Sequence, residues 1–417
     1  MDIIIRIIYY FFSVVALIYG AYFSITGFVG ILKRSSIKLK KTEAKAHFAI
    51  LLPARNEEKV IEHLIESLKN QRYDSNYYDI YVIPNNCTDN TAKVARSNGA
   101  KIISCSEITK TKGDVLNIAF KKLKSDTKID AYIVFDADNV VHPDFLSKMN
   151  ECYQSGFRVA QGFRDAKNPN DNWISGSYAI FYLMQNVFFN RARMGLGASA
   201  SVNGTGFMIK KGLIDQYGFE THTLTEDVEF SGICALRNEK IVFVEDAITY
   251  DEYPVGFNPS WRQRRRWTSG NLECAHRYHK KLVGNFIRTK KIANIDMLFM
   301  YCGAIFQVLT LFLMILTHTL NIFDVTFNNF FPSAIASLLF TSLVGYLFGL
   351  LIEVFAVIYK KKSIISLWKG IIFFPLFLIT WILINIVCFV KKQTKWDEIK
   401  HTRVVKIDDL LDKKIRK

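Results

Sequence analysis

Residues 131–142 read AYIVFDADNVVH. Five apolar residues run straight into Asp136-Ala137-Asp138. A short unbroken apolar run bounded by acids reads as a buried strand with two carboxylates just beyond its C-terminal end. The sequence before it alternates in the same manner. FAILLP (48–53) and IYVIP (80–84) are strand-like, and KIIS (101–104) is a shorter run. Between them, EEKVIEHLIESLKN (57–70), TDNTAKVARSNG (88–99, closed by Gly99) and DVLNIAFKKLK (114–124) carry helical periodicity. This β-α-β-α-β order predicts an α/β domain on a mostly parallel sheet, with ligands at the strand C-terminal ends.

Composition narrows the class. Half of the 417 residues are hydrophobic and 22% are charged, which excludes a disordered chain. Seven cysteines without paired spacing exclude a disulfide scaffold; Cys87, Cys105, Cys152, Cys234 and Cys274 are scattered singly, as suits a reducing compartment. The net charge of +16 fits a polyanion, an anionic membrane surface or a phosphorylated substrate. His47, His222 and His276 have no metal-ligand spacing and read as structural.

The 33 phenylalanines cluster toward the two ends. Residues 7–32 carry no charge and are long enough to cross a bilayer with some tilt. Lys33, Arg34, Lys38, Lys40, Lys41 and Lys45 follow, so the next segment is expected on the cytoplasmic side. Further apolar stretches occupy 297–320, 331–358 and 364–390. The connection 321–330 lacks Lys and Arg and is expected outside, while Lys360, Lys361 and Lys362 mark an inside loop. Lys391, Lys392 and Lys395 then place both ends of the last stretch inside. Either it is broken or re-entrant at Pro375, the favoured reading, or the basic tail lies outside. The expected segments are an anchor and linker (1–45), a catalytic domain (46–258), interfacial helices (259–295), a channel region (296–392) and a basic tail (393–417). With ~25 residues after the last apolar stretch, no appended regulatory domain is expected.

Three motifs carry chemistry. Asp136 and Asp138 offer hard oxygens at a sheet edge, suited to Mg2+ or Mn2+ bridging phosphates, although a bare D-x-D is also an ordinary solvated loop. Thr225-Glu226-Asp227 opens a helix, where acids also simply complement the dipole; the functional alternative is a general base for an acceptor hydroxyl. Gln263-Arg264-Arg265-Arg266-Trp267 offers guanidinium for diphosphate and an indole face for a sugar ring, and reads equally as an interfacial basic helix. Weaker signals are the turn Pro53-Ala54-Arg55-Asn56-Glu57, Lys112-Gly113-Asp114 at a helix start, and Ser201-Val202-Asn203-Gly204-Thr205-Gly206, whose glycines permit close approach to a ligand.

D-x-D, then T-E-D about 90 residues on, then Q-x-x-R-W about 40 further, inside a membrane-flanked α/β domain, resembles the membrane-integrated family 2 glycosyltransferases over roughly residues 46–402. Cellulose, mixed-linkage β-glucan, hyaluronan and poly-N-acetylglucosamine synthases are of that type. The resemblance implies a GT-A-type, Rossmann-like domain inserted between transmembrane helices. It implies that Pro53, Arg55, Glu57 and Asn85 border the nucleotide and that Lys112 lines the donor pocket. Asp136 would contact donor and metal, and Asp138 would coordinate Mg2+ or Mn2+. Asp227 would be the catalytic base, with Glu226 shaping its site. Arg266 would hold the diphosphate and Gln263 the acceptor end. Trp267 would stack on the acceptor sugar, with Gly204 and Thr205 beside it. Trp396 matches a tail that similar enzymes keep near the cytoplasmic site. One departure stands out: such families carry an Asp pair after the second strand, the second reading uracil, where this chain has Asn85-Asn86.

The expected function is a processive, inverting synthase that polymerises a β-glucan from UDP-glucose at the cytoplasmic face of the plasma membrane, as a multi-pass protein, and passes it through its own channel. A UDP-N-acetylglucosamine polymer synthase and a non-processive glycolipid glucosyltransferase are the alternatives. The expected partners are the UDP-sugar, the growing polysaccharide and the bilayer. No nucleic acid is expected, because many of the basic residues flank apolar spans rather than an aromatic groove. Nothing in the sequence identifies accessory secretion subunits.

Overall fold

The structure is a computed structural model that describes residues 2–33, 37–105, 109–324, 327–393 and 403–415, with side chains described over 7–33, 37–105, 109–316, 343–393 and 403–411. The side chains of the 321–330 connection, and Trp396, lie outside the described residues.

Eight strands form one sheet: β1 (Phe48–Ala54), β2 (Tyr78–Pro84), β3 (Lys101–Ile102), β4 (Ala131–Val134), β5 (Val140–Val141), β6 (Val159–Ala166), β7 (Phe207–Lys210) and β8 (Ile241–Asp251). Their spatial order is β3-β2-β1-β4-β7-β6-β8-β5. Phe48 to Leu52 of β1 are fully buried, as a central strand covered on both faces requires. The expectation of a mostly parallel sheet holds for six of the eight strands. β3, β2, β1 and β4 run parallel, and β6 and β8 run the same way, parallel to each other; β7 is antiparallel to both β4 and β6, and β5 is antiparallel to β8. The β-α-β alternation that dictates parallel pairing stops at β4; the chain then turns at Asp136–Asn139 and places β5 at the far edge. The C-terminal ends of β1, β2 and β4 therefore open on one side of the sheet, the usual place for a ligand.

Helices build the rest of the cleft. The Lys112–Leu123 helix starts from a reciprocal cap, in which Thr111 accepts from Asp114 N and Asp114 accepts from Thr111 N. The Trp173–Met184 helix starts from a similar Asn172–Ser175 cap, and helical structure continues from it to Gly195. This apolar segment sits within the range read as the catalytic domain, and it packs directly against the last long helix, Ile364–Val390. Gly176 and Gly370 meet there so closely that a methyl group on Gly370 would lie 2.4 Å from the Gly176 carbonyl oxygen. Only a pair of glycines permits that approach.

Ile364–Val390 is one unbroken helix with Pro375 inside it, which corrects the expected break. An interior proline costs ~3 kcal/mol, but Phe374 and Phe377 beside it are buried, and burying each stabilises by roughly 1.5–3 kcal/mol. One end of this helix meets the catalytic domain and the other meets the Phe257–Thr289 helix. Just before it, Lys360 pairs with Glu245 (2.8 Å) and Lys362 with Asp165 (2.6 Å). At its far end, Arg265 donates to the Lys391 carbonyl (2.9 Å) and Gln393 N donates to Ser269 Oγ (3.0 Å). The face of the helix that carries Ile365, Ile372, Ile379 and Leu383 is exposed.

By length and composition, Ile7–Leu32 and Ile364–Val390 are candidate membrane spans among the described residues. A third arises if Ala293–Tyr301 and Gly303–Leu316, bent by 58°, count together. The break among the apolar helices therefore falls at Cys302 rather than Pro375. The N-terminal helix (Asp2–Leu32) is fastened to the domain by charge: Arg193 donates to Asp296 (2.6 and 3.0 Å) and to Thr26 Oγ1 (3.0 Å), and Tyr22 donates to Asp296 (2.8 Å). Both charged side chains are buried. All seven cysteines are free.

Candidate active site

A cavity of about 310 Å³ opens at the C-terminal ends of β1, β2 and β4. Pro53, Arg55, Glu57, Asn85, Lys112, Asp136, Asp138, Gly204, Glu226, Asp227, Gln263, Arg266 and Trp267 all line it. Three motifs spread over about 130 residues of sequence therefore meet in one cleft. Thr205 does not line it. It lies buried beneath the D-x-D turn, where its hydroxyl accepts from Asp136 N (3.1 Å) and donates to Asn139.

The charges are arranged tightly. Lys112 Nζ lies 2.5 Å from Asp136 Oδ1, 2.7 Å from the Gly204 carbonyl and 3.9 Å from Glu226 Oε1. Gly204 has φ +83°, and a methyl group there would lie 3.3 Å from Asp227 Oδ2 and 4.0 Å from Asp136 Oδ2. The two acids thus converge on one backbone position that admits only glycine without strain. Burial alone would raise Asp136, but Lys112 and Arg164 outweigh it and hold this carboxyl below its ordinary value. Burial dominates at Glu226, where the nearby Asp227 adds to it against Lys112, and the carboxyl is pushed up to about 7. Burial also raises Asp227, against the Val228 amide, Lys112 and Arg266.

The helix that carries these acids, Glu226–Leu236, is pinned by a third. Glu229 accepts from His222 N and Thr223 N (2.7 Å each) and from Tyr278 OH (2.6 Å). Tyr278 belongs to the 33-residue helix Phe257–Thr289, which carries Q-x-x-R-W. Within that motif the arginines divide their work. Arg264 is buried and bonds the Phe377 carbonyl (2.9 Å) and Thr380 Oγ1 (2.8 Å) of the last long helix; Arg265 reaches Lys391. Arg266 alone of the three lines the cleft, donating to the Leu224 carbonyl (3.0 Å). Trp267 joins an aromatic wall with Phe181, Tyr182 and Trp381. Trp381 and Met300 bring the C-terminal helices into the lining.

Two basic residues, Arg164 in the cleft and Lys167 buried beside it, were not singled out from the sequence. Arg164, on β6, bonds Asp251 and the Asn203 carbonyl (2.7 Å) and stacks 4.1 Å over Tyr182. Its strand, VAQGFRDA, mixes Gln161 and Asp165 with apolar residues and gave no distinct signal. Lys167 is buried and donates to the Asp138 carbonyl; burial lowers it, against Asp138 and Glu252. Asn85 lines the cleft while its carbonyl oxygen accepts from the Thr109 hydroxyl, which leaves its NH2 as the free donor. Asn86 takes φ +50°, a conformation that Asn tolerates better than most residues.

A divalent cation fits this donor set in a particular way. Among the described residues no three His, Cys, Asp or Glu side chains gather as a cage. Asp136 and Asp138 supply two hard carboxylates one residue apart, and Mg2+-type ions are held by one or two carboxylates together with substrate phosphates.

The chain is similar to known proteins. The family described as glycosyltransferase like family 2 matches residues 45–270. The chain is 27% identical over 252 residues to a beta-monoglucosyldiacylglycerol synthase of Nostoc sp., covering 58% of this chain and 53% of that protein. It is 24% identical over 335 residues to a poly-beta-1,6-N-acetyl-D-glucosamine synthase of Staphylococcus epidermidis, covering 76% and 77%. The chain thus spans little more than half the length of some relatives and three quarters of others. A mannosyltransferase from Pyrobaculum calidifontis, solved with GDP-Man and Mn2+, shares the fold at a TM-score of 0.55 and 13% identity, over 91% of this chain and 99% of that one.

Proposed function

The chain belongs to glycosyltransferase like family 2, and from that premise we propose that it is an inverting, sugar-nucleotide-dependent transferase that builds a β-linked glycan at a membrane surface. The observation that carries this reading is the meeting of Asp136, Asp227, Lys112, Arg266 and Trp267 in one cleft walled by Trp381 of an apolar helix. A UDP-sugar is the donor. The Asn85 NH2 faces a base carbonyl, and Lys112, Arg164 and Arg266 answer the diphosphate charge. Asp136 and Asp138 would hold Mg2+ or Mn2+, which when bound neutralises the departing diphosphate. Asp227 takes the proton from the acceptor hydroxyl as that oxygen attacks the anomeric carbon and the bond to UDP breaks. Its raised carboxyl is a better base than an ordinary aspartate while ionised. An α-linked donor gives a β-linked product. Trp267 and its aromatic neighbours present flat faces to the acceptor sugar.

The finer reading is a processive synthase, multi-pass in the plasma membrane with its cleft in the cytoplasm. The sequence favours UDP-glucose and a β-glucan. The Staphylococcus relative, matched over three quarters of both chains, makes UDP-N-acetylglucosamine the first rival donor. A second reading, glycolipid synthesis, is favoured by Met300 and Trp381, which bring the cleft to apolar helices, and by the Nostoc relative. Detergent-purified protein incubated with labelled UDP-glucose or UDP-N-acetylglucosamine and Mg2+ or Mn2+ separates them. Label in a high-molecular-weight polymer supports the processive reading, and label in a chloroform-soluble product supports the second. No UDP release from any donor overturns both.

A further inference from the structure

The C-terminal helix Ile407–Ile415 packs on the sheet. Ile407 is buried with Val140 and Tyr250, and Leu410 and Leu411 pack against them. Val140 opens β5, two residues after Asp138, and Tyr250 immediately precedes Asp251 and Glu252. Ahead of the helix, Arg403 N donates to Glu252 Oε2 (3.0 Å), and the Arg403 guanidinium pairs with Asp171 (3.0 Å). Glu252 lines the cleft. Asp251 accepts from Asn139 Nδ2 (2.8 Å) and from Arg164. The tail thus touches both strands whose ends hold the D-x-D turn.

β5 has reason to need this support. It is two residues long, lies at the sheet edge and pairs only with β8. So short an edge strand holds few ladder bonds of its own. Besides the tail, the turn and β5 are held by Lys167, Thr205, Asn139 and Lys112, and by Ser67 Oγ, which accepts from Val141 N (3.1 Å).

We propose that residues 403–411 are a clamp on the catalytic cleft, with Arg403 and Ile407 as positioning residues. Ile407 seats β5, Arg403 seats Glu252, and together they hold the Asp136–Asp138 turn in the geometry that receives the donor. This rests on the proposed role of that turn in donor binding.

The test uses the full-length protein in detergent. Ile407→Asp places a charge in the apolar contact; Ile407→Val keeps it. Hydrogen exchange at Val140, Val141 and Tyr250 is expected to quicken by about tenfold or more in Ile407→Asp, while β1 is unchanged. UDP affinity in the presence of Mg2+ or Mn2+ is expected to fall by about tenfold, and Ile407→Val is expected to match the wild type in both. Leu411→Asp serves as a milder second variant if Ile407→Asp does not fold. Unchanged exchange at β5 overturns the docking. Faster exchange with undiminished UDP affinity overturns the clamp. A wild type that binds no UDP overturns the proposed function instead, and the exchange result alone then decides the docking.

Discussion

Asp136 and Glu226 face the same cation and end on opposite sides of their ordinary values. Lys112 sits 2.5 Å from Asp136 and 3.9 Å from Glu226. The Asp136 side chain keeps 35% of its exposure and Glu226 keeps 6%. Burial opposes the charge at both, but at Asp136 the contact with Lys112 and the field of Arg164 prevail. At Glu226 burial prevails, and the adjoining Asp227 reinforces it. One cleft thereby holds an acid fixed as an anion, suited to a metal and diphosphate, beside acids that titrate nearer neutrality, suited to proton transfer. Chemically similar side chains in a single cleft are sorted by contact distance and burial.

The sharpest way to break this division is Asp227→Asn, which keeps the shape of the side chain and removes the base. Turnover is expected to fall by about 10²–10⁴ with UDP binding nearly unchanged; a parallel loss of UDP binding would place Asp227 with the donor group instead. Lys112→Met comes next. It deprives Asp136 of its cation, and removing one partner of a hydrogen-bonded charge pair costs ~2 kcal/mol or more, about 30-fold in donor affinity. Titration calorimetry with UDP and Mn2+ measures it. A Lys112→Met protein that binds UDP as tightly as the wild type would show that Arg164 alone suffices.

The β-α-β part of the domain was legible in the sequence because it obeys local rules: apolar runs for β1, β2 and β4, and amphipathic periods between them. The candidate site was legible because its acids fall just after a strand and at a helix start, while its Arg-Trp pair carries a recognisable motif inside a long helix. What remained hidden depended on contacts distant in the chain. Nothing around Arg193 and Asp296, 103 residues apart, marks them as one buried pair. Gly176 and Gly370 look like ordinary glycines until the helices that carry them cross. Pro375 read as a break because a lone proline argues for one, whereas the packing of Phe374 and Phe377 was not visible. Within Gln263–Trp267 the sequence offered three arginines, and only the helical rotation assigns one to the cleft and one to the neighbouring helix.

Gly204 lies beside both kinds of acid, so it measures how much room the division needs. Gly204→Ala forces a side chain into a left-handed conformation, at about 1–2 kcal/mol, with its methyl 3.3 Å from Asp227 Oδ2. Turnover is expected to drop by about tenfold through displacement of Asp227 or Lys112. Since Lys112 bonds the Gly204 carbonyl, UDP affinity should fall less than in Lys112→Met. Equal losses in the two variants would mean that the lysine depends wholly on this loop.

The smallest effect is also the one that tests the sorting most directly, because the two acids act on stability with opposite sign. Glu226 is raised from 4.5 to about 7, so the folded state binds its proton more tightly than the unfolded chain does. Its stabilising contribution is full below pH 4.5 and is lost as pH rises through about 7. Asp136 is lowered from 3.8, so its contribution is present above pH 3.8 and is lost as pH falls through its depressed value. Thermal midpoints of the detergent-solubilised protein should therefore decline between pH 4.5 and 7 and decline again on the acid side. Glu226→Gln removes the titrating group but not its volume. It should flatten the first decline and leave the acid limb in place. If the variant keeps the full slope between those values, another buried acid, with Asp227 foremost, is the group that takes up the proton on folding, and Glu226 shares the anionic character of Asp136.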